Sequence, residues 1–228
     1  MKTYKLLLFA FLSIIVCHSN CFSQSSDSII WDLESTNNIG AFFTSPHTSM
    51  PHIIIDRKFR MVVHFNGIDQ GLLIKGNPLG DAKTFIIEII FKPDSSNNPN
   101  NYEQRFFHLQ DTTNNNCRIL FELRLLKSQR WALDVFSSSD SSRLTLLDTT
   151  ITHPVGKWYH AAMVFENGTV TSYVNGVKEL SGKVRFFPIK NAQISLGVRQ
   201  NLKSFFKGAI AKVKFTKRAL LPNEFITK

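Results

Sequence analysis

Cysteine is scarce. Cys17, Cys21 and Cys117 are all that the 228 residues carry. Two of the three lie in the first 23 positions, so a chain cut there keeps one thiol and no internal disulfide. Its stability must then come from a packed core, and an apolar fraction of 43% with twenty Phe supplies the material. Long apolar runs are missing as well. Leu6–Val16 falls short of the ~20 residues a membrane-spanning helix needs. It follows Lys2 and Lys5 and leads to Cys21-Phe22-Ser23 before Gln24. This reads as a secretory signal peptide over residues 1–23, with export to the periplasm, the cell surface or the medium. A membrane anchor is the competing reading. A lipid anchor on Cys17 or Cys21 is disfavoured by Val16 and Asn20, where a small residue is expected.

Acidic residues are outnumbered 17 to 27, giving a formal charge of +10, and +8 once Lys2 and Lys5 are removed. A basic exported chain favours anionic partners. Outside the cell these are acidic polysaccharides or an anionic surface rather than nucleic acid. The bland alternative is a lysine coat that only solubilises. Chemical signatures are also missing. There is no Cys/His spacing for zinc, no glycine-rich phosphate loop, no nucleophile elbow and no dinucleotide fingerprint. No segment sustains a 3.6-residue period, and no internal repeat marks a second domain.

What is present is strand chemistry. Lys157–Gly176 alternates through Trp158–Phe165, turns at Asn167-Gly168, continues as a strand and turns again at Asn175-Gly176. Asn-Gly supplies the positive φ of tight hairpin turns. Both alternating sets, Trp158/His160/Ala162/Val164 and Tyr159/Ala161/Met163/Phe165, are largely apolar, so both faces of this strand should be covered, as in an inner strand of a sandwich. Thr84–Lys92 is nearly continuous Ile and Phe and should lie centrally, ended by Pro93. Further strands are expected at Ile29–Leu33, His52–Ile55, Met61–Phe65, Gln70–Lys75, Arg105–Gln110, Arg118–Leu126, Arg130–Ser137, Arg143–Leu147, Lys183–Phe187, Ala192–Gly197 and Ala209–Thr216, with a short strand at Phe205–Phe206. Asn37–Pro51 reads as loop and Leu221–Lys228 as one helical turn. Many short strands with turn chemistry between them predict an all-β, two-sheet antiparallel sandwich, formed by residues 24–228 as one domain.

Three groups of residues, in order, carry a family resemblance. They are Phe65-Asn66-Gly67-Ile68-Asp69 with Thr84-Phe85-Ile86-Ile87-Glu88; Trp158-Tyr159-His160-Ala161-Ala162 with Tyr173-Val174-Asn175-Gly176; and Ile194-Ser195-Leu196-Gly197, Phe206-Lys207-Gly208-Ala209-Ile210, Arg218-Ala219-Leu220 and Glu224. Together they resemble the laminin G-like jelly rolls of the concanavalin A-like lectin/glucanase superfamily. The resemblance implies two curved sheets and a concave face that often holds a glycan. That superfamily includes lectins, adhesion modules, glycoside hydrolases and polysaccharide lyases, so it does not choose an activity. The Glu-x-Asp-x-x-Glu strand of many of its glycanases is absent. Lys212 stands where relatives carry an acid after Gly-x-Ile, which weighs against a calcium site there. Calcium at Asn66 and Asp69 is a further possibility implied by the resemblance, against a plain Asx turn; no cofactor is required.

On Arg118–Leu126 the alternation puts Arg118, Glu122 and Arg124 on one face. Gln104, Arg105 and His108 lie on the preceding strand and Asp134 on the next. If these faces coincide they line a groove for an anionic polysaccharide, with Arg105, Arg118, Arg124 and Arg199 as clamps and Trp131, Tyr173, Tyr159 and Tyr102 as stacking platforms. Trp31 and Trp158 read as core. The expected function is therefore a secreted carbohydrate-binding module, of bacterial style, in polysaccharide recognition or degradation. The alternative is an enzyme on the same scaffold, a lyase or glycoside hydrolase using His108, Arg124, His160 and Tyr173. A protein-adhesion module is the third reading.

Overall fold

The computed structural model describes residues 27–186 and 188–227. The expected signal peptide and its two cysteines lie outside them. The described strands are β1 (Ser28–Asp32), β2 (Asn38–Ile39), β3 (Phe42–Pro46), β4 (His52–Asp56), β5 (Arg60–Asn66), β6 (Leu72–Ile74), β7 (Phe85–Pro93), β8 (Glu103–Asp111) and β9 (Arg118–Leu125). They continue with β10 (Arg130–Ser139), β11 (Ser142–Leu147), β12 (His153–Pro154), β13 (Tyr159–Glu166), β14 (Thr169–Val174), β15 (Val177–Lys183), β16 (Ala192–Leu196) and β17 (Lys207–Thr216).

They form two antiparallel sheets. The eight-stranded sheet runs β15-β14-β13-β7-β17-β5-β4, with β1 also paired to β17. The nine-stranded sheet runs β11-β10-β9-β8-β16-β6-β3-β2, with β12 also paired to β10. Each face follows from period-two alternation. On β7, Phe85, Ile87, Ile89 and Phe91 enter the core between the sheets, while Ile86, Glu88 and Ile90 face outward. On β9, Ile119, Phe121, Leu123 and Leu125 enter the same core, leaving Arg118, Leu120, Glu122 and Arg124 outside. A bulge between Arg105 and Phe107 on β8 buries Phe106 and Phe107 together and keeps Arg105 on the outer face.

β7 lies between β13 and β17, central as expected. The hairpin turns match too, with Asn167 at φ 49°, Gly168 at 72°, Asn175 at 53° and Gly176 at 78°. Both faces of β13 are covered. Tyr159, Ala161, Met163 and Phe165 enter the main core, and Ala162 and Val164 pack outward against Leu220 and Phe225. The chain end thus lies over the outside of the eight-stranded sheet. Its turn at Pro222–Glu224 is 3-10.

Three expectations fail. The Asn37–Pro51 loop contains β2 and β3. β2 is a two-residue edge strand and β3 lies between it and β6; of β3 only Phe42 packs on the core, while Phe43 is 85% exposed. The strand expected at Lys183–Phe187 is instead β15, which leaves the Asn175-Gly176 turn directly and ends at Lys183. Phe205 makes an isolated bridge to Arg105 rather than a strand.

Candidate functional site

The outer face of the nine-stranded sheet carries the charged row. Register fixes it, because Arg124 lies opposite both Glu103 on β8 and Ala132 on β10, and Glu122 opposite both Arg105 and Asp134. Arg105 Nε donates to Glu122 Oε1 at 2.8 Å, and Arg105 Nη1 approaches Glu103 Oε2 at 3.0 Å. Arg124 donates to Asp134 Oδ2 from Nε at 2.9 Å and from Nη2 at 2.5 Å, and also pairs with Glu103. Burial pushes Glu122 and Asp134 above the ordinary carboxylate range, and the neighbouring guanidiniums pull them back only in part.

Arg105, Glu122, Arg124 and Asp134 share an open pocket of ≈140 Å³ with Arg118, Arg199, Leu120, Phe136 and Thr145. One side of it is a lattice of ion pairs. The other side is not. Neither Arg118 nor Arg199 has an acidic partner among the described residues. Arg118 rests 5.1 Å over the Phe136 ring, and its buried Nε has no hydrogen-bond partner. Burial, with the charges of Arg199 and Arg143 beside Arg118 and of Arg105 beside Arg199, holds both below the usual arginine value. Across the pocket, Asp134 Oδ1 is buried and receives no donor. The pocket therefore holds two cations without acidic partners, Arg118 bonding the Asn115 carbonyl through Nη1, and an acceptor without a donor.

The remaining expected residues lie elsewhere. Gln104 is fully buried. Its Nε2 donates to Asn101 O at 3.1 Å and its Oε1 accepts from Lys207 N at 2.9 Å, so it ties loops together and reaches no ligand. His108 is also fully buried, and Nδ1 accepts from Gln200 N at 3.0 Å, which places its proton on Nε2. Burial and the charges of Arg199, Arg118, Arg105 and His47 hold its pKa well below the ordinary value, so it stays neutral. Trp131 is no stacking platform. It sits in the inward phase with Leu133 and Val135, fully buried 5.2 Å from Phe91 and 5.0 Å from Tyr159. Tyr159 is buried too, and its hydroxyl donates to Pro154 O at 2.7 Å.

His160 and Tyr173 belong to the other sheet. His160 is buried on its outer face, 3.1 Å from Glu88 Oε1, and Phe225 packs 5.4 Å from His160 and 5.2 Å from Tyr173. The set His108, Arg124, His160 and Tyr173 is therefore divided between opposite outer faces of the sandwich and does not assemble. Trp158, expected in the core, instead lies half-buried on the outside of the eight-stranded sheet against Phe59. Phe136 was missed as a pocket residue, and Glu103 as the ion-pair partner of Arg105 and Arg124 beside the pocket. Both were available from phase, since Glu103 alternates with Arg105 and Phe136 with Asp134.

Residues 66–225 match the family model Laminin_G_3, described as the concanavalin A-like lectin/glucanases superfamily. The chain belongs to that superfamily. No curated protein matches it. Among solved structures, domain 4 of AbnA, a GH43 extracellular arabinanase from Geobacillus stearothermophilus, in complex with arabinotriose, aligns over 86% of this chain and 85% of its own, with 21% identity and a TM-score of 0.54. A heptameric SAP-like pentraxin from Limulus polyphemus aligns over 87% and 80%, with 14% identity and a TM-score of 0.53. The botulinum neurotoxin serotype G binding domain aligns over 87% of this chain but 49% of its own, with 13% identity and a TM-score of 0.59. At these identities the likeness is one of fold.

The concanavalin A-like turn at Asn66–Asp69 does not fit calcium as it stands. Asn66 Nδ2 donates to Asp69 Oδ1 at 2.7 Å, Ser49 Oγ donates to Asp69 Oδ2 at 2.7 Å, and Asn66 Oδ1 accepts from the amides of Ile68 and Asp69. These bonds close an Asx turn, whereas calcium takes about six to eight oxygens. No group of three His, Cys, Asp or Glu suited to a metal occurs among the described residues.

Proposed function

We propose that this concanavalin A-like chain is a carbohydrate-binding domain that holds an acidic sugar residue of a polysaccharide in the arginine pocket, outside the cytoplasm. The carrying observation is that one pocket is lined both by Arg118 and Arg199, which have no acidic partner among the described residues, and by Asp134, whose Oδ1 receives no donor. A sugar bearing a carboxylate or sulfate and a neighbouring hydroxyl supplies an acceptor to the arginines and a donor to Asp134. The basic charge of the chain supports an anionic ligand, and the arabinotriose complex of the AbnA domain supports carbohydrate as the ligand class. The expected export signal supports the location, which N-terminal sequencing of the protein from its native host would test.

Electrophoresis through native gels cast with uronate-bearing, sulfated or neutral polysaccharides tests the binding. Retardation should occur with acidic polymers and weaken as salt rises. Arg199→Gln should weaken it by about 10- to 100-fold, the worth of a charge-assisted hydrogen bond of ~1.5–3 kcal/mol. Absence of retardation by every polymer at low salt would overturn the carbohydrate reading and leave protein adhesion in its place.

A further inference from the structure

A second and larger pocket, of ≈560 Å³, lies where the β7–β8 loop meets the β9–β10 turn, and its walls include Tyr102, Asn97, Asn98, Leu125, Leu126 and Lys127. Its frame is anchored. Buried Asn101 donates from Nδ2 to Gly67 O at 3.1 Å and to Phe205 O at 2.9 Å, fixing the 3-10 turn Pro99–Asn101. Gln129 clamps the loop to the turn, donating from Nε2 to Ser96 O at 3.2 Å and accepting from Ser96 N at 3.3 Å. Tyr102 accepts from Leu125 N at 2.7 Å through its backbone, while the residue remains 55% exposed. The pocket thus presents one exposed aromatic face, apolar walls from two leucines, and the side chains of Asn97 and Asn98 at its rim.

That chemistry differs from the arginine pocket. Its lining holds no carboxylate, and its one cation, Lys127, is exposed on a long solvated stem. An aromatic face beside amides suits the apolar C–H face of a sugar ring, with amide groups meeting its hydroxyl or acetamido groups. The two pockets also follow one another along the chain, although Leu125 points into the core and Arg124 out of it. Arg118 and Arg124 line the first, Leu125 and Lys127 the second, and Glu103 and Tyr102 are successive residues beside them. At ~3.4 Å per residue, β9 from Arg118 to Leu125 spans about 24 Å before the turn begins, a length that takes several sugar units.

We propose that the Tyr102 pocket is a second sugar subsite for an uncharged ring, so that the ligand is a linear heteroglycan with acidic and uncharged residues bound in one register along β9. This rests on the acidic-sugar reading of the arginine pocket. The subsite adds a requirement on the ligand that the arginines do not impose: a neutral or N-acetylated unit a few residues from the acidic one.

Calorimetric titration of the full chain tests it. The probes are glucuronate, a sulfated N-acetylglucosamine monosaccharide, and oligosaccharides of alternating glucuronate and N-acetylglucosamine from two to eight units, with and without sulfate esters. Affinity should rise with length until both pockets are spanned. Tyr102→Ala should weaken the longest oligosaccharides about tenfold, equivalent to ~1.4 kcal/mol, while leaving glucuronate unchanged. Tyr102→Phe should restore the affinity, because the ring and not the hydroxyl does the stacking. Affinity that depends on Arg199 but neither on length nor on Tyr102 would overturn the second subsite and leave the arginine pocket standing. Failure of both charged monosaccharides and all acidic oligosaccharides to bind the unmodified chain would overturn the acidic-sugar reading, and this proposal with it.

Discussion

Arg105 stands between Glu103 and Glu122, reaching one at 3.0 Å and the other at 2.8 Å. Glu122 and Asp134 are both buried on neighbouring strands, so Arg105 and Arg124 are what make two adjacent carboxylates tolerable. Arg105→Met should lower the unfolding free energy by ~3–5 kcal/mol, the cost of leaving a buried charge unpaired, measurable by urea denaturation. The sign of the pH dependence follows from Glu122, whose pKa is raised. The group is neutral at low pH, where its burial costs little, and charged at neutral pH, where the missing guanidinium is felt. The deficit of Arg105→Met should therefore shrink as pH falls through the carboxylate range. At this scale much of the site was legible. Arg118, Glu122 and Arg124 share a face by alternation alone, and Asp134 follows from strand pairing. The same rule argues against Trp131 as a platform, since it lies three residues from Asp134 and so points the other way. What alternation does not give is which sheet a strand joins, and this is why His160 and Tyr173 were grouped with residues on the far side of the molecule.

At the scale of the element, the chain end beyond β17 acts as a strap. Phe225 packs on His160 and Tyr173, and Ile226 N donates to Glu88 Oε1 at 2.7 Å. Burial pushes Glu88 up, but His160, the Ile226 amide and Lys214 together bring it below the ordinary glutamate value. Its contribution to stability is therefore present at pH above the ordinary glutamate range and is lost as pH falls through the lowered folded value. Hydrogen exchange at the Ile226 amide should stay slow in mild acid and quicken only in stronger acid. Glu88→Gln should quicken it at neutral pH by about 10- to 100-fold, matching the ~1.5–3 kcal/mol of a charged hydrogen bond. The sequence indicated a helical turn here but not where it docks, because the receiving carboxylate lies 138 positions away. Strands with few core residues were the other gap. β3 has one core residue and β15 is largely solvated, so neither carries the apolar alternation that marked β7, β9 and β13.

At the scale of the molecule, the core is an aromatic lattice rather than a covalently stapled one. Phe91 stacks on Phe106 at 4.2 Å and 10° and lies 5.2 Å from Trp131 and 6.3 Å from Phe206, joining the two sheets. Cys117 is a free thiol. Phe91→Ala should cost ~3–5 kcal/mol and lower the melting temperature by about 6–20 °C, at ~2–4 °C per kcal/mol for a chain of this size. The fold class was readable because strand period, turn chemistry and motif order agreed.

The first and last strands, β1 and β17, lie side by side, pairing Ser28 with Thr216 and Asp32 with Lys212. Both belong to the eight-stranded sheet, whereas the arginine pocket opens on the outer face of the other. Whatever holds the domain by either end, a neighbouring module or a surface, grips it from behind. The arginine-pocket side then points away from the point of attachment, as the palm of a hand does from its wrist.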